Sequence, residues 1–283
     1  MRYRTRTEGG IRYLEAGPDS PSGVTHLLVH GLGGSLEQWT AVVDELRATT
    51  RLVAIDIPGF GHSRAHWGAF TIPAAVAGIR DFLDARGIDR CVVVSHSISC
   101  VVAAGLAAAR PGGVSKLVLV SGALVRASDL AQRPSLALRD PGLGLVVAAQ
   151  FAAGVAPVPK ALLTALAASP RLRSATLWPF VADPAGVPTE HLVETLSGSG
   201  SLAVLRILLS ARSIDHHRLL SAVEQPVELV IGARDRLIDP DDVARLRGMM
   251  RVTRVSVIPG CGHWPWLEKP AELAALITSP EPA

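Results

Sequence analysis

The chain has few cysteines, few lysines, no block of like charge and no long unbroken apolar run, and each shortage closes off a class of protein. The three cysteines among 283 residues, Cys91, Cys100 and Cys261, are odd in number and lie at no metal-ligand spacing. Neither a disulfide framework nor a metal site is therefore expected. Inert, buried thiols are the expectation, with Cys261, close to His263, the one candidate for oxidation. Only three of the 28 basic residues are Lys, and the arginines are spread along the chain against 25 acidic residues. A net charge of +3 without a basic patch gives no case for nucleic acid. The opening MRYRTRTEGG has no apolar segment of the secretory kind, so a cytoplasmic protein is expected. The longest apolar stretch, LGLVVAAQFAAGVAPVP from Leu143, is interrupted by Gln150, Gly154 and two prolines, and it is too short and broken to predict a membrane span.

Hydrophobic residues, by contrast, make up 48% of the chain, enough for a large core. They come as short runs that end in turn residues. YRTRT and IRYLE flank Glu8-Gly9-Gly10 and read as an opening hairpin. THLLVHG, RLVAIDIPG, RCVVVSHS, KLVLVSG, VELVIGARD and RVSVIPG read as six further strands, most of them separated by helical segments. Ser35-Leu36-Glu37-Gln38 reads as a capping box opening a helix through Leu46, and Asp81 to Ala85 fall in another helix. This alternation predicts the α/β class, with a mostly parallel sheet, helices on both faces and ligands at the carboxyl ends of the strands. From residue 127 to 221 the alternation stops in favour of helices separated by Pro and Gly signals. The expected domains are a core of residues 1–126 and 222–283 and a helical cap of residues 127–221, inserted between the sixth and seventh strands.

Three segments carry the chemistry. CVVVSHSISC sets Ser97 directly after an apolar strand and before a helix of small residues, LVIGARDRLIDP carries Asp235, and VIPGCGHWPWLEKP carries His263. A serine hydroxyl is a weak nucleophile until an imidazole takes its proton, and a buried carboxylate holds that imidazole in the right tautomer. Ser97, His263 and Asp235 suit these roles in turn. The helix after Ser97 would aim its N-terminus at a developing oxyanion. Asp239 is the rival acid, but Asp239-Pro240-Asp241-Asp242 looks like the start of a helix.

In strand–turn–helix context and in the order Ser, Asp, His, the chain resembles the α/β-hydrolase family. HGLGGS (His30 to Ser35) is similar to the family's loop after the third strand, DIPGFGHS (Asp56 to Ser63) to its loop after the fourth, and its G-x-x-D pattern lands on Asp235 through Gly232. The resemblance implies an α/β-hydrolase fold, backbone N–H groups of Leu32 and Ile98 as the oxyanion hole, and no metal or organic cofactor. One departure stands out, because Ser95 and Ser99 occupy both glycine positions of the G-x-S-x-G elbow. Serine is the next most compact polar choice, and its hydroxyl readily bonds nearby backbone.

The resemblance implies a carboxylesterase-like serine hydrolase that cleaves an ester, thioester or lactone through an acyl-serine. The same triad also serves acyl transfer, carbon–carbon cleavage and elimination, and a non-catalytic ligand-binding protein of this fold is the reading of another class. An aspartate nucleophile would mark epoxide or haloalkane chemistry, and Ser97 holds that position. The apolar composition of the cap predicts a hydrophobic, small-molecule acyl substrate, with Leu143, Leu145, Leu162, Leu163 and Leu166 as wall residues and Trp264 at the pocket edge. Structural roles are expected for His30, His62 and His96, and for Trp39 and Trp266. His216 and His217, beside Asp215, form no ligand spacing and are expected on a solvated surface.

Overall fold

The computed structural model describes residues 3–19, 24–63, 70–122, 124–238 and 240–280. The apolar runs become eight strands: β1 (Arg6–Glu8), β2 (Ile11–Ala16), β3 (Val24–Val29), β4 (Leu52–Ile55), β5 (Arg90–His96), β6 (Val114–Val120), β7 (Val227–Gly232) and β8 (Val252–Ile258). They form one sheet in the order β1-β2-β4-β3-β5-β6-β7-β8. The β1–β2 hairpin pairs antiparallel, as does β2 with β4, and all remaining pairs are parallel. Gly9 and Gly10 make the hairpin turn at positive φ.

Alternate residues of the central strands feed two cores. Leu27, Val29, Val53, Ile55 and Val93 pack on one face with α2 (Ile72–Ala85) and α3 (Cys100–Ala109). Leu28, Leu52, Ala54, Val92 and Val94 pack on the other with α1 (Thr40–Leu46) and α13 (Pro270–Ile277). A strand buried on both faces needs continuous apolar sequence, and VVV in β5 supplies it. In α2, Thr71 caps the first turn by accepting the Ala74 N–H, and Ile72, Ala75, Ile79, Phe82 and Leu83 make the stripe that meets the sheet.

β3 lies between β4 and β5, so the chain leaves it once to each side. The crevice beyond the carboxyl ends of β3 and β5 is the ligand position of an open parallel sheet. Between β6 and β7 the chain is helical, in α4 (Arg126–Gln132), α5 (Pro141–Val155), α6 (Lys160–Ala168), α7 (Pro170–Leu177), α8 (Thr189–Ser197), α9 (Ala203–Arg212) and α10 (His216–Ser221). After β7 come α11 (Pro240–Arg247) and, following β8, α12 (Pro265–Glu268).

The expected capping box does not form. A 3-10 turn over Leu36–Trp39 precedes α1, and the Ser35 side chain makes no capping bond. Asp56, from the loop after β4, accepts the Leu36 N–H at 2.7 Å in its place. Glu37 turns instead to Arg12, at 2.5 Å, and Arg12 also reaches Asp56 at 3.1 Å. All three side chains are buried. The Glu37 carboxyl is held below its ordinary 4.5: burial, the largest single influence, would raise it, and the hydrogen bonds to the carboxyl together with the charge of Arg12 outweigh it.

Replacing Arg12 with Met would leave two buried carboxylates without their cation and is expected to cost about 3–5 kcal/mol in urea unfolding. Because the Glu37 carboxyl is depressed, its contribution is complete above about pH 4.5 and is lost as pH falls through the lower folded value. The variant should therefore show a shallower stability slope below that pH than the wild type, and an equal slope would remove Glu37 from the account.

Candidate functional site

β5 delivers Ser97 to the crevice. At φ 57 it is one of two non-glycine residues with positive φ among the described residues, the other being Ser121. A serine in the left-handed region costs about 1–3 kcal/mol and persists only where its surroundings fix it. Here the β5 strand ahead and α3 behind fix it, and Ala103, Ala104 and Ala107 let α3 lie close to the sheet. The two extra serines bond locally and away from the Ser97 hydroxyl. Ser99 Oγ donates to the His96 carbonyl at 2.7 Å, and Ser95 Oγ to Cys100 Sγ at 3.3 Å.

The structure brings Ser97, His263 and Asp235 into one hydrogen-bonded chain. Ser97 Oγ lies 3.0 Å from His263 Nε2, and His263 Nδ1 lies 2.9 and 3.1 Å from the two Asp235 oxygens. The His263 and Asp235 side chains are wholly buried. Burial by itself pushes the Asp235 carboxyl up, but His263 and the Leu237 N–H, 2.9 Å from Oδ1, hold it below the ordinary range, so it stays ionised. The turn after β7 can close on the loop after β8 because Gly232 has no side chain, and a Cβ there would overlap the Gly262 carbonyl. Asp239 lies outside the described residues.

Neighbouring groups hold this chain in place. His96 Nε2 donates to the His263 carbonyl at 2.9 Å, and burial, with His263 close by, pushes the His96 ring down to about 3. His96 is therefore neutral and braces the loop that carries His263. Glu268 is a residue the sequence reading missed. One of its oxygens accepts the Gly262 N–H at 2.9 Å and the other accepts the Ala182 N–H of the helical insert at 2.7 Å. The His263 N–H donates to the Phe180 carbonyl at 2.6 Å. His30 is buried, bonds the Gly31 carbonyl through Nδ1, and accepts the Ile57 N–H at 3.0 Å through Nε2. His62 acts through its backbone, whose N–H reaches Asp56 at 2.7 Å while its ring is exposed. Asp215 caps α10 by accepting the Arg218 N–H. Cys261 is fully buried and its thiol is pushed up by burial and by Glu268, which argues against its candidacy for oxidation.

Beside this chain lies a cavity of about 210 Å³. Trp264, Leu162 and Leu166 stand on its wall as expected, with Leu32, Leu177, Phe180, Trp266 and Gly154, which were not anticipated there. Three expected wall residues are elsewhere. Leu143 and Leu163 are buried in the core cluster beneath the insert, and Leu145 points outward, 62% exposed. The apolar run of α5 told of burial but not of direction. Trp264 stacks between Phe180 and Trp266, at 5.2 and 5.5 Å. Nothing in WPFVADP marks Phe180 as a wall residue; only the fold brings it there. Ile98 lines a smaller hollow that shares Gly31 and Leu32 with the main cavity. Ser97 is 3% exposed and is not on the main wall, although His96 and Leu32 are.

The alpha/beta hydrolase family model matches residues 27–276, and the chain belongs to that family. It is 26% identical over 249 residues to the pimeloyl-[acyl-carrier protein] methyl ester esterase of Neisseria meningitidis serogroup B, covering 88% of this chain and 89% of that protein. It is 35% identical over 111 residues to the dihydrolipoyllysine-residue acetyltransferase component of the acetoin cleaving system of Cupriavidus necator, covering 39% of this chain and only 29% of that protein's length. Among solved structures, E-2-(acetamidomethylene)succinate hydrolase matches with a TM-score of 0.74 at 18% identity, covering 98% of both chains. That likeness is one of fold.

The insert and the loop after β3 meet backbone to backbone. Gly33, at φ 65, faces Gly154, and a Cβ on Gly33 would overlap the Gly154 Cα. The Gly33 carbonyl accepts the Gly200 N–H at 2.7 Å, and the Gly154 carbonyl accepts the Ser201 N–H at 2.8 Å. Gly33→Ala is expected to destabilise the fold by about 1–3 kcal/mol through overlap and unfavourable φ. A thermal midpoint equal to that of the wild type would show that this contact is looser than it looks.

Proposed function

We propose that the protein is a serine hydrolase of carboxylesterase type, acting on an ester, thioester or lactone with a hydrophobic acyl portion. The observation that carries this reading is the Ser97–His263–Asp235 chain, at 3.0 and 2.9 Å, with the nucleophile on a left-handed turn. The relationship to a methyl ester esterase supports the reaction class. Ser97 Oγ attacks the acyl carbon as its proton passes to His263 Nε2, while Asp235 keeps the Nδ1 proton and stabilises the imidazolium. The oxyanion faces the N–H groups of Leu32 and Ile98, each such donor contributing about 3–4 kcal/mol in enzymes of this mechanism. Collapse returns the proton from His263 to the leaving oxygen or sulfur and leaves an acyl-Ser97. Water, activated by the same imidazole, attacks the acyl carbon, and the acid departs with Ser97 restored.

The segment of residues 127–221 serves in this reading as a cap over the site. Leu162, Leu166, Leu177 and Phe180 give it an apolar wall for the acyl group, opposite Trp264 and Trp266. The neutral His96 holds the His263 loop and takes no proton in the cycle.

Ser97→Ala tests the nucleophile. Turnover of aryl and thioester substrates should fall by roughly 10⁶-fold, and covalent labelling by a fluorophosphonate should vanish while the circular dichroism spectrum is kept. Labelling that persists at another serine would overturn the assignment.

The wall is tested by a pair of substitutions. Leu162→Asp, on the cavity and 40% exposed, should raise the barrier for long acyl esters relative to acetyl esters by about 1–3 kcal/mol. Leu145→Asp, off the cavity, should leave the ratio of kcat/KM values unchanged. Equal effects from the two variants would place the acyl group somewhere other than this cavity.

A further inference from the structure

The helical insert turns apolar residues outward as well as inward. α5 contains no charged residue along its length, and while Leu143 and Val146 are buried, Leu145 is exposed. α9 does the same. Ala203, Val204 and Ile207 are buried, and Leu205 and Leu209, one turn apart on the opposite side, are 50% and 64% exposed. The two helices pack on each other, with Gly154 of α5 against Val204 of α9. On α6, Leu162 stands both on the exterior and on the cavity wall, so the apolar exterior reaches the cavity mouth.

The helices α5, α6 and α9 themselves contain no Asp or Glu; the carboxylates of the insert lie outside them, at Asp129, Asp140, Asp183, Glu190, Glu194 and Asp215. On α9 the exposed Arg206 stands between the exposed Leu205 and Leu209. An ordinary solvated surface intersperses acids with bases and keeps large leucines covered. Exposed leucines with a guanidinium group among them and no carboxylate on the same helices complement an anionic lipid surface: the leucines enter the acyl boundary and Arg206 meets phosphate.

We propose that the outer face of α5, α6 and α9 docks the protein on an anionic lipid–water interface, with the cavity mouth at Leu162 beside it. Among the described residues no helix is long and apolar enough to cross a membrane, so the contact is with the surface. The docking goes beyond the reaction assigned to Ser97 and does not require it, since its readout is binding alone.

The test is flotation of the full chain with vesicles of phosphatidylcholine alone and of phosphatidylcholine mixed with phosphatidylglycerol. The wild type should float with the mixed vesicles, stay behind with phosphatidylcholine, and be released by salt. A Leu205→Glu/Leu209→Glu double variant, whose sites are exposed and off the main cavity, should lose roughly tenfold or more of the bound fraction while keeping its dichroism spectrum. Should that variant fail to fold, Leu205→Ser/Leu209→Ser asks the same question without adding charge, and Arg206→Gln should weaken binding to the mixed vesicles only. Three results would overturn the proposal. They are absence of wild-type flotation, undiminished binding by a folded double variant, and a concentration-dependent dimer that the double variant dissolves while no vesicle binds, which would make the face an interface between two copies.

Discussion

A single carboxylate outside the Ser97–His263–Asp235 chain sets the geometry around it. Asp56 is wholly buried, and its two oxygens take the Leu36 N–H, the His62 N–H and the Arg12 guanidinium. These donors come from the loop after β3, the loop after β4 and strand β2. A charge in that position is tolerable only when saturated with N–H groups, so the three elements are held to one relative placement. The turn that carries Gly31 and Leu32 begins at the end of β3 and is closed by Gln38, whose Oε1 accepts the Gly31 N–H at 3.1 Å. Gln38 follows Leu36 by half a turn, so fixing Leu36 fixes the turn as well. The proposed oxyanion donor at Leu32 thus inherits its position from a carboxylate that need touch no substrate.

The strands and the serine turn were legible because their constraints are local. An apolar run such as VVV between turn residues can satisfy its backbone only in a sheet, and a serine on a strand-to-helix turn has few other uses. Ser95 and Ser99 fit the elbow because each finds a partner within five residues, Cys100 Sγ and the His96 carbonyl. The reading failed where one partner is distant in sequence. Ser35 and Glu37 match the pattern of a capping box, yet Arg12 and Asp56, brought in by β2 and β4, offer stronger charge-assisted bonds. Helix α5 misled for another reason. With no charged residue it has no polar face to mark the outside, so nothing in the sequence separates the buried Leu143 from the exposed Leu145.

The cavity wall shows the same division. Leu162 and Leu166 lie one turn apart on α6 and were legible as a pair. Phe180 reaches the wall because its carbonyl receives the His263 N–H and because Glu268 binds the Ala182 N–H nearby. These are tertiary bonds between the insert and the loop after β8, and no periodicity announces them.

The meeting of Gly33 and Gly154 constrains the protein's history as well as its shape. A side chain on Gly33 would have to enter the space held by the Gly154 backbone, whereas a Cβ on Gly154 would meet Gly33 at ordinary contact distance, so the constraint falls on the loop after β3. The helical insert can be rewritten along most of its outer surface, but the segment around Gly154 must keep its profile for the loop after β3 to keep its own. A chimera that exchanged the insert for that of a relative would have to keep its backbone at the same distance from Gly33. Change in the cavity wall is thereby channelled toward the side chains of α6 to α8, away from the line where the two segments touch.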